Sequence, residues 1–235
     1  MKIVRFGDSA LLVNFEQKIN KAINNQVLLL YKQLQKVKEV TFLIPAYCSL
    51  TVGFSENTSF KTLSKQIEEL NSKIQSKDLE LNSKIIEIPV CYETPYALDM
   101  GEVKEKTGLN AQEIIKIHSQ ENYKVYMLGF VAGFAYLGSL PKQLFCPRKT
   151  EPRKEVLAGS VGLAGLQTGI YPANAPGGWQ IIGRTPIPTF NPKADNPTLF
   201  KAGDAVKFKS ISSSEFEEIE TQVFSGKFNL EEYYG

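Results

Sequence analysis

The sequence predicts an α+β protein in which a small N-terminal α/β sandwich-like module, residues 1–84, precedes a barrel-like β domain, residues 85–235. Three observations lead to this prediction. Before residue 86, short apolar runs alternate with two amphipathic helical repeats. After Glu121, short apolar runs are separated by dense glycine and proline, which is typical of closed β architectures. No helix of three turns is readable between Tyr123 and Pro197.

The N-terminal module is read from the spacing of its apolar residues. In chain order the predicted elements are strands Ile3–Phe6 and Ala10–Phe15, a helix from Asn20 to about Val37, strands Val40–Ile44 and Ser49–Phe54, and a helix over Ser59–Ile74. Asn20 is a suitable N-cap for the first helix. The order ββαββα favours two helices packed on an antiparallel sheet. The polar segment Gln75–Lys84 then reads as a linker or loop.

The C-terminal domain combines one helical pair with many short strands. The predicted elements are a strand at Ile85–Cys91, helices at about Asp99–Lys106 and Ala111–Gln120, and short strands such as Val125–Phe130 and Gln180–Ile182. Asn110 and Glu113 have the spacing of an N-terminal capping pattern, which fixes the start of the second helix.

Composition argues against several classes of protein. The net charge of +2 is too neutral for a nucleic-acid-binding protein. Three cysteines without a CxxC pair, and one histidine, argue against a disulfide scaffold or zinc site, so no metal is expected. The N-terminus lacks the apolar core of a signal peptide, and the longest apolar-looking stretch, Val125–Pro141, is shorter than the roughly 20 residues of a membrane span. We therefore expect a cytoplasmic protein that does not enter the membrane.

Charge is unevenly distributed along the chain. Between Asn122 and Ala194 there are eight basic and only two acidic residues, which gives a local charge of +6, whereas the rest of the chain carries −4. A cation-rich cleft attracts an anionic small molecule because its field concentrates opposite charge. The alternative is a solvated basic face, or one that meets an acidic partner.

An uncharged segment inside this region, Val156–Gly183, suggests how such a ligand would be held. It contains seven glycines and matches neither the dinucleotide-binding nor the phosphate-binding glycine motif. Its neutral hydrogen-bonding groups suit a small polar ligand held by oriented donors and acceptors. They are Ser160, Gln167, Thr168, Tyr171 and Trp179. The alternative is that the glycines form tight turns and the polar groups satisfy buried backbone.

Three arginines and the histidine are the charged candidates. Arg148, Arg153 and Arg184 are candidate anion clamps, because a guanidinium group pairs with a carboxylate or phosphate through two hydrogen bonds. His118 lies near the end of a predicted helix, where the helix dipole favours the protonated ring. General acid/base chemistry or helix-end packing would both suit it.

Other conspicuous side chains receive structural interpretations. Cys146 precedes a proline and has no local partner that would activate it, so we expect a buried thiol. Phe130, Phe134 and Tyr136 are expected to be core and turn aromatics rather than a cofactor site.

Four composite motifs in consistent order identify a resemblance. They are VYMLGFVAGFAYLG, PRK with PR, AGSVGLAGLQTGIYP and PGGWQIIGRTP. Together they resemble the family of the B subunit of bacterial 5-oxoprolinase, which includes the sporulation kinase A inhibitor and proteins formerly named allophanate hydrolase subunit 1. Ala132 and Leu157 depart from it, since the family usually has proline at both positions. These changes loosen loops without removing a polar group.

The resemblance implies a fold, a reaction and partners. The barrel would be cyclophilin-like. The chain would join a C subunit, similar to allophanate hydrolase subunit 2, and an A subunit in a complex that opens 5-oxo-L-proline to L-glutamate. ATP would be a cosubstrate of that complex, bound mainly on the partner or across the interface, and no metal or organic cofactor is implied for this chain.

Motif position and residue chemistry suggest roles for the candidate residues in that reaction. Gln167, Tyr171 and His118 would be catalytic, the first two by orienting the amide and the last by carrying a proton. Substrate binding would fall to Arg148, Arg153, Arg184, Ser160, Thr168 and Trp179. Three alternatives stay open: an inhibitor of a sporulation sensor histidine kinase, a carboxyltransferase-type protein that acts on urea or a related amide, and a binding module for a small amide.

Overall fold

The structure is a computed structural model that describes residues 1–75 and 84–229. The chain divides into two compact units, Met1–Asn82 and Ser83–Gly235. Each unit has its own apolar core. The predicted linker Gln75–Lys84 falls for the most part on residues 76–83, which lie outside the described residues. The predicted α+β fold class is confirmed.

The N-terminal unit is a four-stranded antiparallel sheet with two helices on one face. Its elements are β1 (Lys2–Arg5), β2 (Ala10–Asn14), α1 (Lys21–Leu34), β3 (Val40–Pro45), β4 (Ser49–Phe54) and α2 (Phe60–Ser72), and the strand order is β1-β2-β4-β3. The side chain of Asn20 accepts hydrogen bonds from the backbone N–H groups of Ala22 and Ile23, so it caps α1 as predicted. Alternate residues of β2 and β4 face the helices and form the core of this unit.

The C-terminal unit is built around a closed seven-stranded barrel. Its elements are β5 (Ile85–Cys91), α3 (Met100–Thr107), α4 (Ala111–Gln120), β6 (Asn122–Leu128), β7 (Ala135–Gly138), β8 (Arg153–Val156), β9 (Ser160–Ala164), β10 (Gln167–Ile170), β11 (Ala175–Gly177), β12 (Gln180–Arg184), β13 (Ala205–Ile211) and α5 (Ser213–Phe224). The barrel order is β10-β7-β6-β13-β5-β12-β9, and β8 pairs with β11 as a separate two-stranded sheet. One parallel pair, β5 with β13, lies among antiparallel neighbours.

The start of α4 agrees with the sequence prediction, whereas the end of β6 and the whole of α5 do not. Asn110 and Glu113 form the reciprocal capping box that was predicted, and α4 therefore starts at Ala111. The predicted strand Val125–Phe130 stops earlier, at Leu128, because the chain turns from Gly129 to Phe134. Residues 213–224 form α5, which the sequence analysis does not identify.

Candidate functional site

An aromatic pocket of about 230 Å³ lies in the C-terminal unit. Three segments surround it: the β6–β7 loop, the segment that precedes β8, and the chain from Tyr171 to Trp179. Its lining residues are Phe130, Phe134, Tyr136, Arg148, Pro152, Tyr171, Pro176, Gly177, Gly178 and Trp179. A depression of about 640 Å³ on the N-terminal unit, along α1, is larger, but none of the predicted site residues lines it.

Four aromatic rings form the wall of the pocket. Phe134 is 1% exposed and lies at the centre of the group. Its ring packs edge-to-face on Tyr171 and Trp179, with centroid separations of 5.2 and 5.4 Å, and at 4.9 Å from Tyr136. Perpendicular aromatic pairs at these distances are favourable beyond their burial alone. The four rings therefore pack against one another as one continuous wall.

The Tyr171 ring lies against Gly177, where only a residue without a side chain leaves enough space. A Cβ atom on Gly177 would overlap the Tyr171 hydroxyl oxygen, so no larger residue fits there without a shift of the ring. Burial raises the pKa of the Tyr171 hydroxyl, which also forms a hydrogen bond with the backbone of Trp179. The phenol therefore stays neutral at physiological pH and presents an O–H group at the wall.

Arg148 supplies the positive charge of the pocket. Its guanidinium carbon lies 5.9 Å from the centre of the Trp179 ring, within the range of a cation–π contact. The residue is exposed, and it forms no ion pair within residues 1–75 and 84–229. Its guanidinium fork is available to an anionic group at the mouth of the pocket.

The β6–β7 loop holds Phe130 in an unusual backbone conformation. The φ angle of Phe130 is +71°, and Val131 N–H donates to the Gly129 carbonyl, which closes a γ-turn. Phe134 N–H then donates to the Val131 carbonyl, with Gly133 at φ +82°. A non-glycine residue with positive φ is costly and is often found at ligand sites. Phe130 consequently stays 61% exposed at the rim.

A cluster of charges lies behind the segment that carries Arg148. Asp99 is 4% exposed, and its Oδ1 accepts hydrogen bonds from Arg153 Nη2 at 2.6 Å and Lys149 Nζ at 3.2 Å. Glu102 accepts from Lys149 and Lys106, both at 2.5 Å, and from Gln180 Nε2 at 2.9 Å. These contacts lower the pKa of Glu102 to about 2. Two of the cations predicted to attract a ligand are thus paired with acids at the start of α3.

His118 belongs to a buried hydrogen-bonded chain and not to the pocket. The Thr168 hydroxyl donates to the Gly162 carbonyl at 3.1 Å, so its oxygen accepts from His118 Nε2–H at 2.9 Å. His118 Nδ1 must then accept from the Tyr92 hydroxyl at 2.8 Å. Burial lowers the pKa of His118 to about 3 and outweighs the effect of the helix C-terminus. The ring is neutral and stacks on Phe208.

The other predicted residues lie at separate places on the barrel. Gln167 opens β10 beside the β9–β10 turn. Ser160 and Arg184 are partners across β9 and β12. Arg184 Nε donates to the Ala158 carbonyl, and its guanidinium carbon lies 5.9 Å from the centre of the Phe216 ring.

Of the nine predicted site residues, the structure therefore brings Arg148, Tyr171 and Trp179 together in one pocket. Thr168 and His118 share the buried network. Arg153 lies in the charge cluster, where its Nη1 is buried without a hydrogen-bond partner among the described residues.

Sequence reasoning missed the aromatic lining and the acids behind it. Phe134 belongs to an apolar core cluster and Phe130 to a turn, as predicted, but both also line the pocket together with Tyr136. Asp99 and Glu102 lie outside the cation-rich stretch in sequence, so a count of charges along the chain omits them. The glycines beside an aromatic run were the available signal, since glycine permits a close approach of rings to backbone.

Two absences hold for residues 1–75 and 84–229. No group of three His, Cys, Asp or Glu side chains is arranged to hold a metal ion. No helix in this part of the chain has the length and apolar character of a membrane span.

Comparison with known proteins gives the same family from several directions. The family model "Carboxyltransferase domain, subdomain C and D" matches residues 1–200. The B subunit of a Bacillus subtilis 5-oxoprolinase is 40% identical over 92% of this chain and 95% of its own length. The protein of the same name from Haemophilus influenzae is 38% identical over 88% of this chain and 97% of its own length.

A solved structure supports the fold alone. The urea amidolyase of Kluyveromyces lactis superposes with a TM-score of 0.77 at 21% identity over 98% of this chain. This chain spans only 16% of that protein.

Proposed function

The chain belongs to the family of carboxyltransferase subdomains C and D, and from this premise we propose that it is the B subunit of an ATP-dependent 5-oxoprolinase. The complex would open 5-oxo-L-proline to L-glutamate, and this chain would act with a C and an A subunit. Two relatives that share 38 and 40% of their residues with this chain, over nearly their whole length, are named as B subunits of 5-oxoprolinase.

The aromatic pocket is the proposed substrate site. Its volume of about 230 Å³ is below the roughly 300–1,000 Å³ of most drug-sized ligand sites, so it suits a compact molecule. 5-Oxo-L-proline has a five-membered lactam ring and one carboxylate. The ring would lie against the aromatic wall, the carboxylate would pair with Arg148, and the Tyr171 hydroxyl would donate to the amide oxygen.

Arg148 is the observation that favours this substrate over urea. Urea has no negative group, so it would leave the unpaired guanidinium without a partner. A kinase inhibitor, by contrast, would bind through a surface and would not need the pocket intact. Arg148→Met, described below, therefore tests whether the pocket binds a carboxylate, and capture of a C subunit or of a sensor histidine kinase separates the enzyme subunit from the inhibitor.

The chemistry requires activation of an unreactive amide. In a lactam, nitrogen donates electron density into the carbonyl and lowers its reactivity. Transfer of the γ-phosphoryl group of ATP to the carbonyl oxygen would make the carbon electrophilic. Water would then add to that carbon, and the C–N bond would break with proton transfer to nitrogen, which leaves an acyl phosphate at the side-chain carboxyl group. A second water would hydrolyse this acyl phosphate and release phosphate and L-glutamate. ATP is proposed to bind on the partner or across the interface, and this chain would orient the ring.

The remaining candidate residues receive proposed supporting roles. His118 and Thr168 are fully buried, and we propose that their hydrogen bonds hold α4 against β10, which leads to Tyr171. Arg153 is paired with Asp99 and would position the pocket segment. The predicted catalytic role of Gln167 stays a prediction, as do the binding roles of Ser160 and Arg184.

The direct test is to co-express this chain with its C and A subunits and to measure ATP-dependent glutamate release from 5-oxo-L-proline. Arg148→Met should raise KM about 10- to 100-fold, since hydrogen bonds to charged groups contribute about 1.5–3 kcal/mol. Lys142→Met, which removes an exposed lysine of the same basic region, is the matched control. Equal kinetics for the two variants would remove Arg148 from the site. Release of no glutamate by the assembled wild-type complex would refute the proposed reaction.

The same complex tests Gln167. Gln167→Ala should abolish turnover while leaving the unfolding transition of this chain unchanged. Near-normal turnover would remove Gln167 from the mechanism. Capture of a sensor histidine kinase, with no binding of the C subunit, would favour the inhibitor alternative.

A further inference from the structure

We propose that Asp99 is a positioning residue: its buried carboxylate joins the chain segment that carries Arg148 to the one that carries Trp179, and so sets the shape and charge of the aromatic pocket. This inference rests on the proposed function for the nature of the ligand. The geometry that supports it does not depend on the ligand.

The Asp99 side chain does not cap its own helix. Asp99 occupies the N-cap position of α3, where an aspartate usually accepts a hydrogen bond from the first helical turn, but it makes no such bond. Its Oδ2 instead accepts from the Ile181 backbone N–H at 2.7 Å. Its own backbone N–H donates to the Ile181 carbonyl, also at 2.7 Å. These two bonds fasten Asp99 to β12, two residues beyond Trp179.

The second carboxylate oxygen reaches the opposite segment. Oδ1 accepts from Arg153 Nη2 and Lys149 Nζ, the residues on either side of the stretch from 150 to 152 that includes the pocket residue Pro152. Lys149 backbone N–H also donates to the Gly178 carbonyl at 2.7 Å. One carboxylate therefore forms hydrogen bonds with both sides of the pocket. Its partners Lys149 and Ile181 lie 50 and 82 residues further along the sequence.

The same contacts determine which cation remains for the ligand. Arg148, Lys149 and Arg153 occur within six residues of one another. Asp99 and Glu102 pair with Lys149 and Arg153, whereas Arg148 lies over Trp179. Without Asp99, Arg153 would lose its ion pair and would compete with Arg148 for the negative group of the ligand. Asp99 would thus select a single cationic contact.

The test compares Asp99→Asn with Asp204→Asn. Asp204 is a partly buried carboxylate of the same unit that accepts from Lys201 backbone N–H at 2.8 Å and does not line the pocket, so it is a matched control. Trp179 is the only tryptophan of the chain, and its fluorescence reports on the pocket without a label. Two quantities are measured: quenching of Trp179 by acrylamide without ligand, and the Kd of 5-oxo-L-proline from the change in emission.

Asp99→Asn is expected to increase acrylamide quenching and to raise the Kd at least about tenfold, because charge-assisted hydrogen bonds on two segments are weakened. Asp204→Asn should change neither quantity. Unchanged quenching in folded Asp99→Asn, or an equal increase in the control, would overturn the proposal. If the wild-type chain, alone and in its complex, fails to bind 5-oxo-L-proline, the proposed function fails, and the quenching measurement still decides the role of Asp99.

A second pair of variants covers the case in which Asp99→Asn does not fold. Arg153→Gln removes a partner whose side chain is 25% exposed and leaves the bonds between Asp99 and Ile181 in place. Lys154→Gln, at the exposed next residue, is its control. Arg153→Gln should increase ligand-free quenching more than Lys154→Gln does. Equal quenching in the two variants would contradict a positioning role, because a residue that only contacts ligand would not affect the empty pocket.

Discussion

Burial sets the chemistry of the single imidazole in this chain. His118 accepts from Tyr92 and donates to Thr168, and all three side chains are shielded from solvent. Within the part of the chain that the structure describes, the hydrogen-bond partners of His118 are hydroxyl groups and not carboxylates, so nothing offsets the cost of a buried imidazolium. The network therefore fixes one tautomer and joins α4 to β10, which is the packing alternative that the sequence left open for this residue.

This environment makes stability depend on pH. The pKa of His118 is about 3 in the folded chain, against 6.5 for an ordinary histidine. Between these values the unfolded chain binds a proton that the folded chain does not, so the free energy of unfolding rises with pH. The stabilisation is complete above about pH 6.5 and is lost as the pH falls towards 3, by up to about 1.4 kcal/mol per pH unit. Urea denaturation at about pH 7 and about pH 5 measures this loss.

His118→Gln provides the comparison, since it removes the only histidine. The variant should be less stable at neutral pH but should lose less stability between the two pH values. The pKa of Glu102 is lowered to about 2 from 4.5, so protonation of this group also lowers the free energy of unfolding, but only below about pH 4.5. An identical pH dependence in both proteins would show that His118 does not carry the effect.

At the scale of elements, the turn after β6 decides where the pocket lies. The pattern of apolar residues alone would continue β6 as a strand beyond Leu128. Gly129 and Gly133 instead permit two consecutive turns. The second turn runs from Val131 to Phe134, with Gly133 at positive φ in its third position, as in a type II turn. Ala132 occupies the second position, which favours proline.

Ala132→Pro should therefore stabilise the protein. The backbone N–H of Ala132 donates no hydrogen bond among the described residues, so proline removes none there, and it restricts the unfolded chain. We expect a gain of about 0.4–1 kcal/mol, measured as a higher midpoint of thermal or urea unfolding. Val131→Pro is the matched control, because Val131 N–H donates to Gly129 and its loss should destabilise. A loss of stability in Ala132→Pro would contradict the assigned turn.

The elements show what local sequence encodes and what it does not. Apolar spacing and caps such as Asn20 and Asn110 predict the helices and strands near them, because these signals act over a few residues. The pairing of β5 with β13 joins residues more than 100 positions apart, and no local pattern specifies it. The hydrogen bond between Asp99 and Arg153 spans 54 positions. The sequence therefore predicts Arg153 as a ligand-binding cation, and only the structure shows that it is paired with an acid.

Across the whole molecule, folding brings together acidic and basic residues that are far apart in the sequence. The basic stretch from Asn122 to Ala194 receives two acids, Asp99 and Glu102, from outside that stretch. What remains at the pocket is the exposed charge of Arg148. A net charge counted on the sequence overestimates the field that a ligand meets, and it also misplaces that field.

This arrangement predicts a dependence of binding on salt. The Kd of 5-oxo-L-proline should rise several-fold as ionic strength increases from about 0.01 to 1 M, since the Debye length falls from about 30 to 3 Å. 2-Pyrrolidone, which has the lactam ring but no carboxylate, should bind weakly and without this dependence. Trp179 fluorescence measures the Kd of each ligand at each salt concentration. Equal salt dependence for the two ligands would show that Arg148 does not pair with the carboxylate.

The parallel pair of β5 and β13 also constrains how the protein is made. Both neighbours of β5 in the barrel, β12 and β13, are encoded far downstream, and β13 begins at Ala205. At about 5–20 residues per second, a ribosome needs roughly 5–25 s after completing Cys91 to deliver that partner. During translation the backbone edges of β5 therefore stay unpaired until β12 and then β13 have been synthesised, and unpaired strand edges are open to pairing with another chain.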